Sequence, residues 1–303
     1  MASALPIGST LPALPPAGDD PRPVDYVARR RHWLRRHPTL ILGALLLAAI
    51  AVLSVGAPWI APYDPQDIDP LARLQPPSAA HLFGTDAMGR DVFSRAVWGG
   101  RVSMITGVCV AGLATVFGIL IGLVAGFVRM VDGIVMRIMD GLMAIPGILL
   151  AIALMSVLRP SLLTVIVAIT VPDVPRVARL VRSLALVLRE EPYVEAAVSV
   201  GTRPPMILWR HLLPNMIAPL IVQATFLAAA AVLAEASLSF LGVGVPAQTP
   251  SWGNMMAEGR NFVAVAFHII LYPGLLLALT VLATNLVGDG LRDALDPRLA
   301  RHL

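Results

Sequence analysis

The amino-acid sequence predicts an all-α integral membrane protein with six transmembrane helices, and three observations carry that expectation. Of its 303 residues 57% are hydrophobic and only 14% charged, against roughly 25% charged in a soluble domain. Apolar stretches recur along the chain; the first, Thr39 to Ile60, is about long enough to cross ~30 Å of hydrocarbon at ~1.5 Å per residue. The polar intervals between them are unequal in charge. With six spans, 17 of the 23 arginines fall on one side and 6 on the other, the asymmetry expected when cationic loops stay in the cytoplasm.

Composition also excludes whole classes of function. Every cationic side chain is arginine and none is lysine. A phosphate-binding P-loop needs its lysine, so any ATP-driven work falls to a partner, and Schiff-base chemistry is excluded on the same ground. Cys109 is the single cysteine and lies in an apolar run, where it reads as a small buried hydrophobe rather than part of a disulfide framework. The histidines, His32, His37, His81, His211, His268 and His302, are scattered, with no His-Glu-x-x-His zinc motif and no metal site. There is no Gly-x-Ser-x-Gly elbow, and Ser237 and Ser239 have no base nearby in sequence. Arginines flank apolar runs instead of interleaving with aromatics, so nucleic-acid binding has no support. No catalytic residue and no cofactor is assigned to this chain.

Residues 1–38 read as a disordered cytoplasmic tail, proline- and alanine-rich, ending in Arg29, Arg30, Arg31, Arg35 and Arg36. Residues 39–101 hold the first span and an extracytoplasmic loop. That loop mixes Pro62, Pro65, Pro70, Pro76 and Pro77 with Asp86, Arg90 and Asp91, which either brace the loop or touch substrate. Residues 102–290 form the core with five further spans. The second, Val102 to Val128, repeats Ala114, Gly118, Gly122 and Gly126 every four residues; such a stripe lets another helix approach closely, with pore lining as a secondary reading. Arg129, Asp132 and Arg137 make a short turn before Asp140 at the foot of the third span, and Pro146 is expected to kink that span. Asp140 and Arg137 are three apart and within pairing reach on a helix.

The fourth span begins at Ser161 and meets Pro172, Asp173 and Pro175 after eleven residues. Charge arbitrates here. Deleting this span flips everything after it and leaves 9 arginines inside and 14 outside, against the positive-inside tendency; the span is therefore expected to run past its prolines toward Val181. Ile217 to Leu233 is the core of the fifth span and places Glu235 near its outer end, either as a functional acid or as an acid hydrated at the interface or paired with Arg260. Phe262 to Val287 is the sixth span, and residues 291–303 close the chain as a cytoplasmic tail.

Before the fifth span lies the one arginine-bearing polar interval of its kind, Tyr193 to Asn215. Glu195, Ala196 and Ala197 favour a short helix that ends in a left-handed turn at Gly201. A second helix is expected from Pro204 and Pro205, since proline suits a first turn. Two short helices at a membrane surface form a knob for a soluble partner.

Glu195-Ala196-Ala197, Gly201 and Leu213-Pro214 at this spacing resemble the coupling loop of ABC importer permeases. Pro204-Pro205 departs from the family's usual non-proline residues after the glycine. His81 to Asp86, Gly89 to Arg95, Ser251 to Met256 and the tail Gly288-Asp289-Gly290-Leu291-Arg292-Asp293 through Arg298 resemble the dipeptide, oligopeptide and nickel branch, from about Thr39 to the C-terminus. The resemblance implies a type I ABC importer permease fold in a bacterial inner membrane with both termini cytoplasmic. It implies a second homologous permease subunit, two ATP-binding subunits that carry ATP and Mg and dock on residues 190–215, and an extracytoplasmic solute-binding protein. Peptide is the implied cargo, with nickel or another small solute as the alternative; Asp140, Pro146 and Glu235 are candidates for the path or its gating. The rival from another class is a stand-alone channel or ion-coupled carrier, which would carry charges at span centres.

Overall fold

A computed structural model describes residues 37–295, and within them the chain is helical throughout save for loops and one isolated bridge between Thr85 and Asp91. The expectations for the N-terminal arginine cluster and for Asp296, Pro297 and Arg298 lie outside the described residues. Eleven α-helices follow in order: α1 (Pro38–Val55), α2 (Ala57–Ile60), α3 (Val92–Phe127), α4 (Arg129–Met143), α5 (Gly147–Val157), α6 (Leu162–Leu188), α7 (Pro192–Ser199), α8 (Pro204–Ile207), α9 (Leu213–Phe240), α10 (Trp252–Gly259) and α11 (His268–Leu295).

Among the described residues four helical stretches are long and apolar enough to cross a membrane: α1, α3, residues 204–240 ending in α9, and α11. A fifth candidate is a broken one. α4 and α5 pass the same test together but are bent by 88° at the residues between Met143 and Gly147. Pro146 caps α5 at that break; a proline that ends one helix and starts another gives a corner where a kink was expected. The six-span expectation needs α6 as well. This helix runs unbroken through Pro172 and Pro175, and its 27 residues reach about 40 Å at ~1.5 Å per residue. From near its middle onward, however, it carries Asp173, Arg176, Arg179 and Arg182, so apolarity alone does not mark it as a span.

One helix start differs from the sequence reading and one agrees with it, each for a local reason. α3 begins at Val92, ten residues before the expected span and inside the stretch read as loop, because the Asp91 carboxylate accepts from the Ser94 N–H and caps it there. α6 begins with a reciprocal cap: Ser161 Oγ accepts from Thr164 N–H at 3.2 Å while Thr164 Oγ1 accepts from Ser161 N–H at 3.0 Å.

The four small residues of α3 meet α6. A Cβ on Gly118 would lie 2.5 Å from the Val177 side chain, one on Gly122 2.5 Å from the Ala178 carbonyl oxygen, and one on Gly126 2.7 Å from the Ala185 Cβ. Ala114 is fully buried in the same cluster as Val177, Val181 and Ala185. α9 packs on α3 and α11, and α11 on α1. Leu45, Val52, Val108 and Leu282 remain exposed, as expected of side chains that face hydrocarbon. Replacing Gly122 by valine is expected to destabilise the purified protein by about 1–3 kcal/mol, since the added carbons have no space; Gly133→Ala, whose Cβ would meet nothing within 4 Å, should leave the thermal midpoint in detergent unchanged or raised.

Candidate functional site

The polar interval before α9 folds as two short helices on a left-handed turn. α7 ends at Gly201, whose φ is +79°, a conformation that costs residues with a Cβ roughly 1–2 kcal/mol. The Gly201 N–H donates to the Val198 carbonyl at 2.9 Å and the Thr202 N–H to the Ala197 carbonyl at 3.0 Å, which satisfies two carbonyls that the helix end would orphan. No neighbour lies within 4 Å of a Cβ placed there. Glycine is therefore required by its backbone angle and not by crowding. α8 opens on Pro204 and passes through a π-turn, Leu208–Leu212, into α9.

One face of this element is anchored. Val194, Ile207, Leu212 and Met216 are buried with Leu123 of α3 and Val177, Val181 and Ala185 of α6. Ala197 is buried and Leu213 half-buried, while Glu195, Ala196, Gly201 and Pro214 are exposed. The Asn215 amide bridges inward, donating to the His211 carbonyl at 2.6 Å and to the Tyr193 hydroxyl at 3.3 Å. Burial, and then the nearby Glu191 carboxylate, hold the Tyr193 phenol above its usual value. Large apolar side chains of this interval are bare: Val200 is 81% exposed and Trp209 61%, and Val198 and Met206 are exposed as well. Glu195, Arg203 and Arg210 are exposed in the same interval, and bare apolar side chains among charged ones are the composition of a binding surface.

The other sequence candidates separate. Asp140 pairs with Arg179 of α6 at 2.5 Å rather than with Arg137, and Arg182 forks onto both oxygens of Asp132. These two bridges tie α4 to α6. Glu235 lies within α9 and is 0% exposed; it makes no ion pair with Arg260. Its carboxyl group instead accepts from Ser103 Oγ of α3 at 3.0 Å and Ser239 Oγ at 2.8 Å, joining α3 to α9 through hydrogen bonds.

Three groups have partners that the sequence reading did not name. In the loop before α3, Asp86 is not merely a cap: its carboxylate accepts from Arg90 Nε at 2.8 Å and from Arg95, and both arginines also reach Glu258 of α10, at 2.6 and 2.7 Å. No spacing rule links Arg95 to Glu258 across 163 positions. Asp91 caps α3 and also meets His81 Nδ1 at 3.0 Å. The third group, Asp173 with Arg176 at 3.1 Å, borders a cavity of about 190 Å³ between α5, α6 and α9; its signal was the Asp-x-x-Arg spacing on a helix.

Several helices apolar and long enough to cross a membrane, with two short helices anchored against them, define a helical multi-pass membrane protein. The chain belongs to the family of binding-protein-dependent transport system inner membrane components, whose model matches residues 114–301. Residues 27–77 match the N-terminal transmembrane domain of oligopeptide transport permease C. Among its relatives is a probable peptide ABC transporter permease of Sinorhizobium fredii, 53% identical over 88% of this chain and 92% of that one. A dipeptide transport system permease, DppC, of Alkalihalophilus pseudofirmus is 40% identical over 95% and 97%. A chain of the MetNI methionine ABC transporter shares the fold, with a TM-score of 0.56 at 21% identity, covering 67% of this chain and 96% of that one. The protein is thus a multi-pass inner-membrane permease of the ABC importer type, a transport component and not an enzyme.

Gly201→Ala is expected to weaken the end of α7 by about 1–2 kcal/mol, seen as faster amide hydrogen exchange at Gly201 and Thr202 with the remainder of the exchange pattern unchanged.

Proposed function

We propose that this chain is one of two permease subunits enclosing the translocation path of an ABC importer for peptides. An extracytoplasmic binding protein delivers the cargo. Two ATPase subunits carry the ATP and Mg and dock on residues 190–215, with Glu195, Ala196, Ala197, Gly201, Leu213 and Pro214 forming or shaping the contact. The observation that carries this reading is the knob itself, apolar outside and anchored inside. A soluble partner that covers Val200, Met206 and Trp209 gains apolar burial, and any displacement of the knob is passed through Val194, Ile207 and Leu212 to α3 and α6.

Transport then proceeds by alternating access. ATP binding draws the partner subunits together, the knob moves as a rigid body, and the α3–α6 pair with the cornered α4–α5 segment re-orients the path. Asp140 and Pro146 act here as parts of the gate's frame, one bridging α4 to Arg179 and the other setting the corner. Both termini lie in the cytoplasm, supported by the arginine asymmetry. Peptide as cargo is supported by relatives named for peptide and dipeptide transport. Cargo selectivity is shared with the binding protein, and this chain contributes the passage.

Glu195→Trp places a bulky side chain on the docking face without touching the anchored one. Uptake of a radiolabelled dipeptide into vesicles should fall at least about tenfold, the ratio that ~1.4 kcal/mol of lost docking produces, while membrane insertion is unchanged. Undiminished uptake would refute the docking role.

A further inference from the structure

α6 carries the run Pro172-Asp173-Val174-Pro175-Arg176, and Asp173 and Arg176 are the charged groups bordering the cavity between α5, α6 and α9. Elsewhere the wall is apolar, small residues such as Gly147, Ala151, Ala230 and Ala234 alternating with the larger Ile148, Ile169 and Leu238. Asp173 is 8% exposed. Among the described residues a single hydrogen bond reaches it, from Arg176 Nη1 at 3.1 Å. The other acids buried among the described residues are held differently: Asp86 accepts from two arginines and two backbone N–H groups, Asp91 accepts from the Ser94 N–H and meets His81 Nδ1, and Glu235 accepts from two serines of different helices.

Asp173 is therefore under-satisfied where an unpaired charge is costly. Its one partner is also loosely held, because the Arg176 side chain is 56% exposed and can turn away without vacating a packed position. A carboxylate at the edge of an apolar-walled cavity favours a compact cation that brings several N–H donors.

We propose that this cavity is a subsite for an ammonium group, the free α-amino end of a peptide in transit, with Asp173 as its counter-ion. The proposal rests on the importer reading above. On entry the ammonium replaces Arg176 at the carboxylate, and the released guanidinium stays on the exposed side, where it can meet the peptide's carboxylate end. No covalent step is involved. The charge of Asp173 is compensated in both states, so the site can be emptied without stranding an ion, as passage requires.

The test uses the complete permease–ATPase complex in lipid nanodiscs, with Cys109→Ser removing the single native thiol of this chain, Ala230→Cys placing a reporter on the cavity wall, and labelling read on this chain alone by mass. N-ethylmaleimide alkylation is followed with millimolar dialanine, with N-acetyl-dialanine, and with neither. Free dialanine is expected to slow alkylation at least about threefold, the slowing that two-thirds occupancy gives, whereas the acetylated peptide has no effect. Asp173→Asn should abolish the protection and Asp173→Glu, which keeps the charge, should retain it. Equal protection by the two peptides, protection that survives Asp173→Asn, or no protection at all would overturn the subsite. Dialanine uptake by the same complex with its binding protein in vesicles separates the two readings: uptake without protection sinks the subsite alone, and absence of uptake of any peptide sinks the peptide-importer reading itself.

Discussion

In hydrocarbon there is no hydrophobic drive to bring helices together, so α3 and α6 remain in register through the closeness of their backbones. Gly118, Gly122 and Gly126 remove the side chains that would hold the helices apart, and Val177, Ala178, Val181 and Ala185 fill the space left. That contact organises the molecule. α4 is fastened to α6 by the Asp132–Arg182 and Asp140–Arg179 bridges, α5 packs on α6, and α9 rests on α3 with Glu235 hydrogen-bonded to Ser103. Loosening the glycine contact would therefore shift the cornered segment and the cavity together.

The knob before α9 draws its mechanical meaning from the same pair. An exposed apolar surface on a flexible loop would bind a partner but transmit little. Here Val194 and Ile207 lie 13 positions apart in sequence yet sit in one buried cluster with Leu123 and Val181, so both short helices are fixed to the α3–α6 pair. The Gly201 turn and the π-turn at Leu208–Leu212 absorb the change of direction. Force applied to Val200 or Trp209 has a packed route into the membrane body.

At the other end of α9 the charges are arranged for rigidity. Asp86, Arg90, Arg95 and Glu258 interlock the loop before α3 with α10, and the Trp252 indole donates to the Ala96 carbonyl at 2.8 Å. Each of the two carboxylates accepts from both arginines, which suits a brace, and of these groups only Arg95 Nε is left without a partner. Asp173 has Arg176 as its one partner among the described residues and borders a cavity, a setting that leaves it open to a ligand.

The sequence by itself determined the class, because hydropathy and arginine placement are one-dimensional properties that lipid reads directly. It also determined the short-range features: the left-handed turn at Gly201, the helix start at Pro204 and the small-residue face of α3 all follow from local backbone and side-chain geometry. What it misplaced were matters of partnership. Asp140 had two arginines within reach, one three residues away and one 39 away, and only packing selected Arg179. Pro146 was legible as a kink but not as an 88° corner, since the angle depends on what the following helix packs against. Glu258 joined Arg90 and Arg95 through the fold alone. Long-range pairing depends on which helix faces which, and that is decided only when every helix has found its neighbours.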